Sequence, residues 1–157
     1  MLLVQYQIQQ SNDNIVWNEQ THSPIVKENR RQDELWKHSC FELFVASANS
    51  HCYREFNFSP SGQWNSYDFE AYRQKQTLAH IHQPPRIQFI EQDTNLYLLT
   101  VTLLLADIGK VPGSFDLGIT AVIEYEDKTL DYYALNHCSR QADFHVRDSF
   151  SLALTLG

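Results

Sequence analysis

The chain has 157 residues, 43% of them hydrophobic, which suits one domain with an ordinary core and leaves no room for a second. Nineteen acidic residues against 12 basic ones give a net charge of -7, which argues against a nucleic-acid backbone or an anionic membrane as the principal partner. The aromatic share of 13% favours an all-β domain or a ligand-binding face.

Apolar and polar residues alternate along most of the chain, as expected of half-buried β-strands. The alternating runs are rich in Tyr, Phe, Val, Ile and Thr and end at turn sequences such as Ser-Pro-Ser-Gly and Val-Pro-Gly-Ser. Only residues 71–80 allow a turn or two of helix. The predicted strands, in chain order, are 2–9, 39–47, 52–59, 64–73, 86–92, 96–106, 115–124, 129–135 and 150–156.

This number of short strands predicts an all-β fold, a single antiparallel β-sandwich of the immunoglobulin or jelly-roll kind that spans 1–157. An all-β barrel is the alternative. The first residues form too short an apolar run for a secretory signal, and no window approaches the roughly 20 apolar residues of a membrane-spanning helix. The three cysteines are an odd number without C-x-x-C spacing, so we expect a cytoplasmic protein with reduced thiols.

The strands at 39–47 and 52–59 carry polar side chains on one face, namely Glu42, Glu55 and Asn57. If Ala46 pairs with His51 across the connecting loop, Glu42 lies directly opposite Glu55. A two-residue slip pairs Glu42 with Asn57 instead and keeps the same residues on the face. A one-residue slip is excluded, because it would put apolar side chains opposite this polar row.

Two carboxylates on one face of a sheet repel each other, which favours a ligand-binding surface over a purely structural one. The alternatives are that Arg54 or Arg73 neutralises them, or that both point into water. Three aromatic residues lie near this row along the chain, Trp36, Trp64 and Tyr67. Rings beside carboxylates and amides suit a sugar, since its C–H faces stack on rings and its hydroxyls bond acids and amides.

At these residues the chain resembles the DOMON-like proteins related to family 9 carbohydrate-binding modules, small β-sandwich domains that bind sugars or, in other branches, haem. The resemblance covers most of the chain, from about residue 30 to the end. Its most specific part is the Glu-Phe-Asn-Phe-Ser-Pro-Ser-Gly sequence at 55–62. The other matching segments are Asp33-x-Leu35-Trp36, Cys40-Phe41-Glu42-x-Phe44, Tyr67-x-Phe69-x-x-Tyr72-Arg73, 117–124 and Asp143-Phe144-His145.

The resemblance implies particular ligand contacts. In sugar-binding members a Trp and a Glu six residues apart contact the sugar, a spacing that Trp36 and Glu42 reproduce. A polar pair on the next strand is matched by Glu55 and Asn57, although the relatives carry an arginine where Glu55 stands. The second sandwiching Trp expected near the C-terminus has no match.

Tyr133 or His137 could take the place of that missing ring. Asp143-Phe144-His145 resembles a structural turn of the family, and we expect it to cap or anchor a loop. Haem ligation by a Met–His pair is not expected, because the only methionine is Met1 at the chain terminus. His80 and His82 could share a strand face, but no third ligand is spaced to complete a metal site.

The sequence therefore predicts non-catalytic binding of a small polar ligand, best fitted by a carbohydrate. No catalytic residue, cofactor, metal, nucleic acid or membrane is expected to take part. One alternative is a glycoside-processing enzyme that uses Glu42 and Glu55 as its acid/base pair. The other is a structural or protein-interaction module with an apolar patch around Tyr72, Tyr97 or Tyr132. The predicted ligand-binding residues are Trp36 as the stacking platform, Glu42 and Asn57 as hydroxyl readers, Glu55 and Arg73 as secondary contacts, and Trp64.

Overall fold

Two antiparallel β-sheets pack face to face and form a β-sandwich, which confirms the predicted all-β fold class. The computed structural model describes residues 1–9, 14–17 and 29–157. Its strands are β1 (Leu2–Gln9), β2 (Cys40–Ser47), β3 (Tyr53–Phe58), β4 (Trp64–Phe69), β5 (Thr77–Leu78), β6 (Arg86–Asp93), β7 (Leu96–Leu103), β8 (Gly113–Glu124), β9 (Leu130–Ala134) and β10 (Leu152–Leu156).

The smaller sheet has the strand order β1-β7-β6, and the larger sheet has the order β10-β8-β2-β3-β4-β5. Two strands pair with the long strand β8 in succession: β10 pairs with its first half and β9 with its second half. The helices are the four-residue α1 (Leu105–Ile108) and two 3-10 helices at Leu35–Lys37 and Arg147–Ser149. No helix in the described part of the chain is long and apolar enough to cross a membrane.

The chain after β4 differs from its prediction. The strand expected at 64–73 ends at Phe69, and residues 71–80 form turns and the short strand β5 instead of a helix. Arg73 and Lys75 adopt left-handed backbone angles, with φ of 51° and 50°. Such angles are incompatible with a right-handed helix, so the chain turns here and returns to pair β5 with β4.

The core between the sheets follows the predicted alternation. Phe41, Leu43 and Val45 share one face with Phe56 and Phe58, and each is at most 2% exposed. The smaller sheet covers these side chains with apolar residues from β1, β6 and β7, namely Val4, Tyr6, Ile87, Leu99, Val101 and Leu103.

A second apolar cluster lies on the opposite, outer face of the larger sheet. It includes Phe44 from β2 and Phe69 from β4, which the chain after β9 covers with Phe144 and Phe150. As a result β2 is buried on both faces from Cys40 to Ala46. Polar side chains on this outer face are therefore withdrawn from bulk water.

Candidate functional site

A cavity of about 410 Å³ opens on the outer face of the larger sheet, where the chain around 142–145 covers it. Strands β2, β3, β4, β8 and β9 supply its floor and walls, together with the first 3-10 helix and the turn between β4 and β5. Four of the predicted ligand-binding residues meet there. The lining residues are Trp36, Glu42, Glu55, Phe69, Arg73, Gln76, Val122, Tyr132, Ala142, Phe144 and His145.

The register of β2 and β3 sets the arrangement of the two carboxyl groups. Glu42 pairs with Asn57, and Phe44 pairs with Glu55. Of the two registers that the sequence allowed, the structure has the one slipped by two residues, and the direct opposition of Glu42 and Glu55 is wrong. The two glutamates occupy diagonal positions on the same face, so the predicted polar face is retained.

Glu42 is only 3% exposed and lies on the cavity floor. Its Oε2 accepts a hydrogen bond of 2.9 Å from the Thr120 hydroxyl on the neighbouring strand β8. Burial, and then the nearby Glu55 carboxyl, raise the pKa of Glu42 to about 8. The structure thus rejects the alternative in which this side chain points into water.

Glu55 is 5% exposed and lies beside Glu42. Its Oε1 accepts a hydrogen bond of 2.7 Å from the Asn57 amide, and its Oε2 is 3.7 Å from His145 Nε2. Burial raises the pKa of Glu55 to about 7, although the Asn57 hydrogen bond and the charge of Arg73 oppose that rise. Two such carboxyls can both donate and accept hydrogen bonds near neutral pH, which suits a hydroxylated ligand.

His145 forms the wall above Glu55. Its Nδ1 lies 2.8 Å from the Tyr53 hydroxyl, and its ring meets Phe69 edge to face. Burial and then the Arg73 charge lower the pKa of His145 to about 4, so the imidazole is neutral at physiological pH. It therefore offers the cavity a hydrogen-bonding group without a positive charge.

Arg73 lies at the mouth of the cavity, where its side chain is half exposed. Its guanidinium is 3.0 Å from Asp143 Oδ1, and the Tyr72 hydroxyl donates to the other oxygen of the same carboxylate. The Asp143 carboxylate also accepts the His145 backbone N–H at 3.2 Å. Asp143 thus anchors the loop, the role expected for this segment, and forms the ion pair of Arg73 at the mouth.

Trp36 forms another wall from the 3-10 helix that precedes β2. The ring is partly exposed and meets Tyr67 edge to face, with ring centroids 5.7 Å apart. Trp36 and Gln76 also border an adjoining groove of about 460 Å³ that contains Asp33 and Asn65. Trp36 therefore borders two concavities and is partly exposed, so a ligand can reach it.

Trp64 lies elsewhere and is not part of the cavity. It pairs with Phe58, whose side chain faces the smaller sheet, so the Trp64 ring belongs to the core and is 4% exposed. The Arg31 guanidinium covers it, 4.5 Å from the ring centroid. Asn57 shares the face of the cavity but is fully buried, and it acts through its hydrogen bond to Glu55.

The sequence did not identify several residues of the cavity, nor the Thr120 hydroxyl that bonds Glu42 on its floor. Thr120 and Tyr132 lie on strands that read as ordinary alternating sequence, and their positions depend on the pairing of β8 with β2 and β9. Tyr132 lines the cavity, whereas Tyr133, the suggested replacement for a second Trp, borders a pocket between the sheets. His145 lies in the Asp143-Phe144-His145 segment, which the sequence predicted to cap or anchor a loop. That pattern was the one sequence feature that pointed to His145.

Other histidines of the described ranges make hydrogen bonds within the protein. No group of three or more potential ligands occurs among the described residues. His82 instead hydrogen-bonds with its Nδ1 to the buried Asp107 carboxylate at 2.7 Å. The three tyrosines suggested for a partner surface are dispersed, since Tyr97 packs against Phe89 in the smaller sheet and Tyr132 lines the cavity.

Comparison with known proteins supports the fold. No family model matches the chain, and neither does any curated protein sequence. A solved structure from Bacteroides uniformis, described as a "putative carbohydrate-binding protein", is similar with a TM-score of 0.68. The alignment covers 98% of this chain and 72% of that chain at 13% sequence identity. At this identity the likeness is one of β-sandwich fold.

Proposed function

We propose that this protein binds a carbohydrate, without chemistry, in the cavity lined by Trp36, Glu42, Glu55 and Arg73. One observation carries the proposal: side chains that stack on a sugar and side chains that bond its hydroxyls line a single concavity. Trp36 supplies a ring open to the ligand, the two buried carboxyls can donate and accept hydrogen bonds, and Arg73 extends the polar contacts to the rim.

Two further facts support this proposal. The similar solved structure carries the description of a carbohydrate-binding protein, which is a statement about that protein. The sequence pattern resembles DOMON-like proteins related to family 9 carbohydrate-binding modules, and we propose membership of that group. Within this proposal the roles of Glu42 and Glu55 as ligand contacts follow from their burial on the cavity floor.

The test begins with a glycan array, which identifies a binding sugar, followed by calorimetric titration of that sugar. Trp36→Ala is expected to abolish measurable binding while leaving the thermal unfolding transition close to that of the wild type, because the ring is partly exposed. A folded Trp36→Ala variant with unchanged affinity would contradict the proposed site. So would the lack of any hit on a broad array.

A second function, glycoside processing by Glu42 and Glu55, is favoured by one observation. Both carboxyls have a raised pKa, as a general acid needs near neutral pH. This alternative predicts turnover of chromogenic glycosides that Glu42→Gln eliminates. The binding proposal predicts no turnover across a broad panel of such substrates.

A further inference from the structure

Among the described residues, Glu42, Glu55 and Glu124 are buried in the larger sheet, and of these Glu124 alone forms an ion pair with a lysine. Glu124 on β8 binds His38 at 2.8 Å and Lys128 at 3.3 Å. Although burial raises the pKa of Glu124, these two partners bring it below its usual value. No lysine or arginine among the described residues forms an ion pair with Glu42 or Glu55. The two carboxyls of the cavity therefore differ from the carboxyl of Glu124.

The two cavity carboxyls also have unused hydrogen-bonding capacity. Within the described residues, Thr120 bonds one oxygen of Glu42 and Asn57 bonds one oxygen of Glu55. The other oxygen of Glu55 lies 3.7 Å from His145 Nε2, beyond hydrogen-bond distance. Both side chains are more than nine-tenths buried and line the cavity. A hydrogen-bond donor delivered by a ligand would satisfy the free oxygens.

The surroundings favour a donor that carries positive charge. Aromatic side chains stand around the two carboxyls, namely Trp36, Phe69, Tyr132 and Phe144. Ring faces attract a cation, and a charge-assisted hydrogen bond to a carboxylate is stronger than a neutral one. Arg73, at the mouth, forms its ion pair with Asp143 and not with either carboxyl of the floor, on which its charge acts only from a distance.

We infer that the ligand of this cavity is an amino sugar whose free ammonium group binds between Glu42 and Glu55. The inference rests on the proposed function and names its substrate class. The ammonium replaces the missing cationic partner of the two carboxyls. The sugar ring then lies against Trp36, with its hydroxyls directed toward Arg73 and Gln76 at the rim.

The test uses a glycan array that carries free amino sugars, before and after treatment with acetic anhydride, which converts every free amine to a neutral amide. We expect hits among glycans with free amines, and the loss of those hits on acetylation. Hits confined to neutral glycans and unchanged by acetylation would overturn the amine inference and leave sugar binding intact. The absence of hits on both arrays would overturn the proposed function and this inference together.

Calorimetric titration at neutral pH with glucosamine, N-acetylglucosamine and glucose then tests whether the protein recognises the free amine. The three probes differ in the substituent at one carbon. We expect glucosamine to bind most tightly, and Glu55→Gln to reduce its affinity about 10- to 100-fold, the range for a hydrogen bond to a charged group. Equal affinity for the three sugars, or a folded Glu55→Gln variant that keeps the preference, would contradict the inference.

The chain offers a matched control in Glu124→Gln, which removes a buried carboxylate from the same sheet outside the cavity. This variant should retain the preference for glucosamine. Should Glu55→Gln fail to fold, Glu42→Gln removes the other carboxyl with the same expected loss. A preference that Glu124→Gln abolishes in a folded protein would show that general electrostatics, and not the cavity carboxyls, select the amine.

Discussion

Two neighbouring tyrosines on β9 line different concavities of the protein. Tyr132 lines the cavity, whereas Tyr133 borders the pocket between the sheets, and their side chains are about equally exposed, 46% and 52%. Tyr132→Ala should weaken binding of a sugar identified on the array by about 3- to 10-fold, because one aromatic wall is lost. Tyr133→Ala should leave the calorimetric affinity unchanged, and the opposite pattern would place the ligand elsewhere.

The raised pKa of Glu55 predicts how stability depends on pH. As pH rises above the ordinary range of a glutamate, the unfolded chain loses its proton first, while the folded protein holds it up to about pH 7. The contribution of Glu55 to stability therefore falls as pH rises through this window and levels off above it. Glu55→Gln removes this loss and should stabilise the protein by about 3 kcal/mol at pH 8.5, with little effect near pH 4.

Denaturant unfolding at both pH values measures the difference, and Glu124→Gln is its control with the opposite sign. The lowered pKa of Glu124 means that its stabilising contribution is present at neutral pH and is lost as pH falls through the folded pKa.

His145 also affects the dependence of wild-type stability on pH, since its lowered pKa makes folding less favourable as pH falls below the ordinary pKa of a histidine. A Glu55→Gln variant that is less stable than the wild type at pH 8.5 would contradict the raised pKa of Glu55.

At the scale of elements, burial of β2 on both faces makes its apolar side chains costly to truncate. Leu43 is fully buried between the sheets, whereas Leu3 on the smaller sheet is 62% exposed. Leu43→Ala should reduce the free energy of unfolding by about 2–5 kcal/mol, through lost contacts and the cavity left behind. Leu3→Ala should change it by less than about 0.5 kcal/mol. Similar losses in chemical denaturation would contradict the burial of Leu43 between the sheets.

Strands β2 and β3 were predictable because one face of each meets the core. Alternation placed Phe41, Leu43 and Val45 with Phe56 and Phe58, since any odd slip would expose all of them. Alternation does not distinguish slips by two residues, so the pairing of Glu42 with Asn57 required the structure. Trp64 was misplaced because its face depends on the turn after β3, which aligns it with Phe58.

At the scale of the whole molecule, the three cysteines report on its packing. Cys40 is fully buried on β2, and burial raises the pKa of its thiol well above the usual value, whereas Cys52 and Cys138 are exposed. A thiol reagent should modify two cysteines rapidly in the native protein and the third only as the chain unfolds. Rapid modification of Cys40 in the native protein would contradict the position of β2 at the centre of the sandwich.

The cavity itself could be predicted only in part, because its walls come from distant parts of the chain. Glu42 and Glu55 lie on one hairpin, so local alternation places them on one face. Tyr132 and His145 reach the same cavity, and Thr120 reaches the Glu42 carboxyl, through strand pairing and loop packing across about 80 to 100 residues of chain, which no local pattern encodes. The sequence therefore predicted the floor of the site and missed most of its walls.

The proposed carbohydrate site lies in the cavity beside Trp36. Nitrogen-15 NMR of the indole N–H groups tests it directly, since the chain has three tryptophans. Trp64 is buried in the core, and Trp17 packs against Phe89 and Tyr97. During titration with a sugar identified on the array, only the Trp36 signal, assigned with Trp36→Phe, should shift in a saturable manner. Saturable shifts confined to Trp17 or Trp64, with Trp36 unchanged, would contradict the account.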